Sequence, residues 1–256
     1  MKQTRLWISA AILSICGLGV LTSCSNDDDS DSKNSSVRLT AMHQVKTIEL
    51  VTETKDTKYV WENGLLTREV SSTNRMTNYE VEESYVYNDK KLYTEKHSSD
   101  GLYNYYFSYE NDRLVKMEEK SNGKIIATCE ASYNAEGNIS EILYTYITAE
   151  LKEVSMKYYL TWQDGDLTQA VIEYLSTERP STTLTFLYDK YPSAYTGMPI
   201  GTSLIDPTAL ALHASKHNLI ENGDNLVYYH GRLISIVSAD SKTQTFFTYS
   251  DGTGKR

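Results

Sequence analysis

The feature that most restricts the fold of this chain is a recurring unit: alternating aromatics, a short polar turn, then an aliphatic residue that opens another alternating stretch. Its first copy is Tyr59-Val60-Trp61-Glu62-Asn63-Gly64-Leu65, followed by Tyr85-Val86-Tyr87 with Leu92 after the turn. Phe107-Ser108-Tyr109 with Leu114, Ala131-Ser132-Tyr133 with Ile139, Leu160-Thr161-Trp162 with Leu167, and Tyr228-Tyr229 with Leu233 repeat it, and Phe186-Leu187-Tyr188 is a degenerate copy. A period in the twenties centred on Asn, Asp or Gly marks repeated β-hairpins. Asn63-Gly64 and Asp164-Gly165 suit two-residue turns, in which both central positions need positive φ.

The flanks alternate as strands do. Tyr79, Val81, Tyr85 and Tyr87 share one face and Glu80, Glu82 and Ser84 the other; Val154, Met156, Tyr158, Leu160 and Trp162 share a second such face. Period two with aromatic and β-branched residues predicts strands with one face buried. Two strands per unit, one more near Val45 to Val51 and one near Gln244 to Tyr249, give a dozen or more. Open sheets beyond about 10 strands curl or close. The expected fold is mainly β: an antiparallel meander of Tyr-rich hairpins forming a strongly curved sheet or partial barrel.

The rhythm stops between Tyr188 and Leu226. Pro192, Gly197, Pro199 and Gly201 mark an irregular loop, and residues 206 to 217 read as the single helix, with Asp206 as N-cap, Pro207 at its first position and Asn222-Gly223 ending any continuation. Leu210, Ala214 and His217 fall on one stripe, and Leu212 and Leu219 on another. Such a helix either covers a cavity or fills the core of an incomplete barrel. His213 and His217, at i and i+4, match part of a zinc-protease pattern, but Ala214 stands where the general-base Glu belongs. No metal and no cofactor is expected.

Residues 1–23 carry Lys2 and Arg5 ahead of an apolar stretch from Leu6 to Val20, the layout of a secretory signal. Leu21-Thr22-Ser23-Cys24 resembles a bacterial lipobox, which implies acylation of Cys24 and anchoring to a membrane. Residues 24–36 form an acidic linker without an aliphatic or aromatic residue, expected to be disordered. Within it Ser25, Asp27, Asp28 and Asp29 resemble the surface-export signal of Bacteroidota lipoproteins, which implies an outer-membrane anchor facing the cell exterior. Residues 37–256 are expected to form one β domain. Without the signal, 23 Lys and Arg face 34 Asp and Glu, about −11 net, the wrong balance for nucleic acid. Cys129, the one thiol left, sits in an apolar alternation and reads as a core residue.

Tyr229-His230-Gly231-Arg232-Leu233 and Tyr109-Glu110-Asn111-Asp112-Arg113-Leu114 resemble the tyrosine-rich YD repeat, without its Asp after Tyr. With the lipobox and acidic linker, the chain resembles Bacteroidota surface lipoproteins that carry a porin-like β domain of unknown function. That resemblance implies architecture and location, not an activity.

No nucleophile elbow, phosphate loop or dinucleotide fingerprint is present. Tyr106, Tyr144, Tyr146, Tyr159 and Tyr174 lie opposite the faces assigned to the core, and rows of Tyr can stack on sugar rings or dock a peptide. The expected function is a non-catalytic binding or scaffold domain for a glycan, a peptide or an envelope partner. One alternative is a carrier of lipid or a small apolar ligand, with the helix covering a half-barrel cavity. Another is a hydrolase using carboxylates such as Glu82-Glu83 and Glu118-Glu119, provided they converge in one cleft.

Overall fold

A computed structural model describes residues 37–48, 51–74, 80–221, 224–229, 231–238, 240 and 242–254. Cys24, Ser25, Asp27, Asp28, Asp29, Tyr79, His230 and the Asn222-Gly223 stop lie outside the described residues. Twelve strands come first: β1 (Leu39–Ile48), β2 (Val51–Glu62), β3 (Leu65–Thr73), β4 (Glu80–Tyr87), β5 (Tyr93–Ser98), β6 (Asn104–Glu110), β7 (Arg113–Ser121), β8 (Lys124–Tyr133), β9 (Ile139–Ile147), β10 (Glu153–Gln163), β11 (Asp166–Tyr174) and β12 (Thr182–Thr185). β13 (Leu187–Pro192), a 3₁₀ turn at Gly201–Ile205, α1 (Pro207–Ala214) and β14 (His217–Ile220) follow, then β15 (Asn225–Tyr229), β16 (Arg232–Val237) and β17 (Thr243–Tyr249). Where one strand was expected near Val45 to Val51, β1 and β2 meet as a hairpin.

Fifteen strands form one antiparallel sheet. It runs from β12 through β11 down to β1, then to β17, β16 and β15, while β13 and β14 pair separately. The two end strands do not pair with each other, so the ladder does not close into a barrel.

Two devices recur in the hairpins. The closing aromatics of five units, and likewise Tyr188 and Tyr249, each donate a hydrogen bond to a main-chain carbonyl on another strand. Trp61 Nε1 reaches Leu39 O (2.7 Å), Tyr87 Oη Leu66 O (2.9 Å), Tyr109 Oη Tyr93 O (2.7 Å), and Tyr133 Oη Leu114 O (2.9 Å). Trp162 Nε1 reaches Ile139 O (2.6 Å), Tyr188 Oη Leu167 O (2.8 Å), and Tyr249 Oη Leu233 O (2.8 Å). Every donor is Tyr or Trp because Phe has nothing to donate. Each such bond contributes about 1 kcal/mol. The residues whose carbonyls accept are themselves buried against the sheet, and in the first two units they are Leu66 and Tyr93 rather than the expected Leu65 and Leu92.

The second device is a β-bulge just past each of these turns. Trp61 faces Leu66 but Val60 faces Arg68, so Thr67 is skipped. Thr94, Val115, Ser140, Thr168 and Ile234 are skipped in the same way. Where the skipped residue has a hydroxyl it bonds back across the ladder, as Thr67 Oγ1 does to Val60 O and Thr168 Oγ1 to Thr161 O. A bulge turns the strand over by one residue and increases its twist. Repeated in six hairpins, it curls the sheet.

The curl is visible in what one short insertion touches. On a flat sheet the ten spacings between β1 and β11 would span roughly 48 Å. Tyr195 instead bonds Met42 of β1 while its ring lies 5.0 Å from that of His213 on α1, which packs on β11. The covered side is therefore concave. The β13–β14 ribbon bridges toward both ends of the sheet. Tyr188 bonds β11, and Asp189 accepts from Tyr228 of β15, whose ring lies 4.3 Å from Tyr191.

Asp206 caps α1 as expected, its carboxylate accepting from Thr208 N at 2.8 Å. The helix stops at Ala214, however. Ser215 is extended, Lys216 N bonds Gly165 O, His217 N bonds Asp166 Oδ1, and His217 opens β14. His213 and His217 thus do not share a helical face, and the stripe ending at His217 does not form. Met198, Leu204, Leu210 and Ala211 are fully buried between the insertion and the sheet. The carrier alternative needs a cavity where these side chains pack. Gly201 lies so close to Phe107 that a Cβ would overlap its ring. Gly201→Ala should cost about 1–3 kcal/mol, read as a lower urea midpoint, because the ring is buried and cannot step aside.

Candidate functional site

The repeated bulge decides where the Tyr candidates point. Ser140 is skipped, so the concave face of β9 runs Ile139, Ile142, Tyr144, Tyr146 instead of continuing in strict alternation from Ile139. The skip at Thr168 likewise sends Tyr174 inward beside Met156. Tyr144, Tyr146 and Tyr174 therefore share the core face, contrary to expectation, and only Tyr106 and Tyr159 project from the convex side. Those two are packed among surface charges: Lys120 Nζ lies 4.3 Å from the Tyr106 ring, and Tyr159 Oη donates to Glu173 at 2.8 Å.

The inward turn brings the Tyr residues to a polar band. Tyr144 and Tyr146 stack at 5.3 Å with 23° between their rings. Across β8, Glu119 accepts from Tyr105 Oη at 3.4 Å, and burial raises its carboxyl pKa above the ordinary value. Burial, with the Glu119 charge among lesser causes, also raises the Tyr144 phenol. Beside Tyr105, Lys96 is 1% exposed; its ammonium bonds Glu83 at 2.7 Å and lies 5.7 Å from each of the Tyr85 and Tyr105 rings. Tyr85 Oη donates to Glu69, itself 2% exposed. The result is a row of partly to fully buried side chains on the concave face, with stacked rings along one side and a carboxyl-rich band along the other.

Assigning Glu and Lys to the exposed faces missed Glu69, Glu83, Lys96 and Glu119. Glu83 has the parity of Tyr85 and follows from alternation alone, whereas Glu119 turns inward opposite Tyr105 because Val115 is skipped. Neighbouring carboxylates part company across the sheet. Glu82 pairs with Arg68, and Glu118 with Lys116 and Lys120, while Glu83 and Glu119 face inward. The one ammonium between them is held by Glu83, a structural ion pair rather than an acid and a base flanking a cleft.

The remaining candidates are accounted for by structure. His213 is fully buried, its Nδ1 2.7 Å from Ser203 Oγ, and burial with the nearby Lys96 charge lowers its pKa to about 3. His217 Nδ1 lies 2.7 Å from Asp166 Oδ2, and Asp164-Gly165 forms the positive-φ turn. Among the described residues no group of three or more His, Cys, Asp or Glu is arranged to hold a metal ion. Cys129 is fully buried, and that burial raises its thiol pKa well above the ordinary value. Two cavities of about 460 and 430 Å³ lie elsewhere, meeting at Phe246 on the convex face.

No protein-family model and no curated protein matches the chain. Among solved structures, a chain of the TcdB2-TccC3-Cdc42 crystal structure is similar at 14% identity and a TM-score of 0.30, over 76% of this chain and 12% of that one.

Proposed function

We propose that this chain is a non-catalytic, lipid-anchored envelope protein that binds a saccharide on the Tyr-lined concave face. The observation that carries the reading is the Tyr144–Tyr146 stack beside the Glu119–Tyr105 pair. A pyranose presents a C–H face that packs on aromatic rings and hydroxyls that bond to carboxylates and phenols. Three carboxylates against one ammonium favour neutral or amino sugars over uronates and sulfated chains. Isothermal titration of the purified protein with neutral and anionic oligosaccharides tests this. Binding of a neutral chain that Tyr144→Ala weakens about tenfold supports it, and equal binding by the variant counts against it.

The lipobox, the acidic linker and the resemblance to Bacteroidota surface lipoproteins support an anchor at Cys24 in the outer membrane, facing outward. Cys24→Ala should move the protein from the membrane to the soluble fraction, and retention in the membrane would overturn the anchor.

A further inference from the structure

We infer that the convex face carries a second, separate saccharide subsite whose floor is the Phe246–His43 ring pair. The two residues face each other across β1 and β17, with ring centroids 6.1 Å apart and planes at 21°. Both convex cavities share Phe246 and Gly254, one extending past Val227 and Tyr229 and the other past His43 and Asp56. Volumes of about 460 and 430 Å³ lie within the range of small-ligand pockets.

The polar atoms have defined roles. Asp56 Oδ1 lies 2.7 Å from His43 Nδ1. An ionised carboxylate only accepts, so Nδ1 carries the proton of this bond. Lys58 and Ser72 add donors along the same rim, and Lys58 balances the charge of Asp56. At the other end Val227 and Tyr229 are about half exposed and give an apolar wall. The turn behind them is fixed: Tyr249 N bonds Thr253 O at 2.9 Å, and a Cβ on Gly254 would overlap the Phe247 carbonyl.

A charge-balanced groove with an aromatic floor, an apolar wall and a rim of donors and acceptors matches a neutral sugar, apolar on one face and hydroxylated at its edge. The groove crosses β15, β16, β17, β1, β2 and β3, so a peptide lying in it would run across the strands and could not extend the ladder. Two cavities meeting over one ring accommodate at least a disaccharide.

The test is an NMR titration of the purified protein with neutral tetrasaccharides of glucose, mannose and N-acetylglucosamine, following the side-chain resonances of Phe246, His43 and Tyr229. One of the series should shift all three. Tyr229→Ser, a change at a half-exposed side chain, should weaken that binding about tenfold, while the Tyr144→Ala, Tyr146→Ala double variant should retain it. Unchanged affinity in Tyr229→Ser overturns the subsite, as does the absence of shifts at Phe246 and His43 with all three sugars at millimolar concentration. Parallel loss in the double variant would place the binding on the concave face and also overturn it.

Discussion

Replacing Lys96 by Met should destabilise the fold by about 3–5 kcal/mol, the usual cost of leaving a buried charge without its partner. Glu69 and Glu83 sit directly opposite each other on the concave face of β3 and β4, and like charges in that position repel. Lys96 is the cation among them, 1% exposed and 2.7 Å from Glu83. Its ammonium lies 5.7 Å from each of the Tyr85 and Tyr105 rings, and Met keeps a similar side-chain volume while removing the charge. Adding Glu83→Leu to Lys96→Met should recover most of the loss, because replacing both ions by apolar groups is often neutral. Chemical denaturation of the two single variants and the double variant measures this cycle. Additive losses would show that the pair is not coupled.

A comparable effect should appear in acid through His213. Its folded-state pKa of about 3 lies below the ordinary histidine value, so the unfolded chain binds its proton first as pH falls. The stability His213 contributes is complete above about 6.5 and is lost as pH falls toward 3, with a slope approaching 1.4 kcal/mol per pH unit. Unfolding free energies measured across pH 3.5 to 7 should therefore fall more steeply in the native protein than in His213→Gln, which cannot take up that proton. Equal slopes would contradict the buried, neutral imidazole. Lys96→Met should also raise the His213 pKa, since the ammonium is the second cause of its depression.

Much of the fold was legible because its signals are local. Alternating runs closed by an aromatic and followed by a polar turn, as at Trp61 before Asn63-Gly64 and Trp162 before Asp164-Gly165, predict hairpins from side-chain alternation and from the φ values those turns demand. What alternation does not reveal is a skipped residue. Thr67, Thr94, Ser140 and Thr168 look like ordinary strand positions, yet each bulge reverses the faces of all residues beyond it. This is why Tyr144, Tyr146 and Tyr174 were expected on the open face and found on the concave one, and why Glu119 faces inward opposite Tyr105. The helix misled for a different reason. Residues 215 to 217 have no helix breaker, and their extended path follows from tertiary bonds of Lys216 and His217 to Gly165 and Asp166.

The same bulge logic unites three of the five Tyr candidates and separates Tyr106 and Tyr159 from them. The function proposed here rests on that union. It is tested most directly by an NMR titration of the purified protein with the three neutral tetrasaccharides, read at the Tyr144 and Tyr146 rings. A saturable shift of both rings, weakened in Glu119→Gln, is the predicted result. Unmoved rings with all three sugars at millimolar concentration would contradict the concave face as a saccharide site.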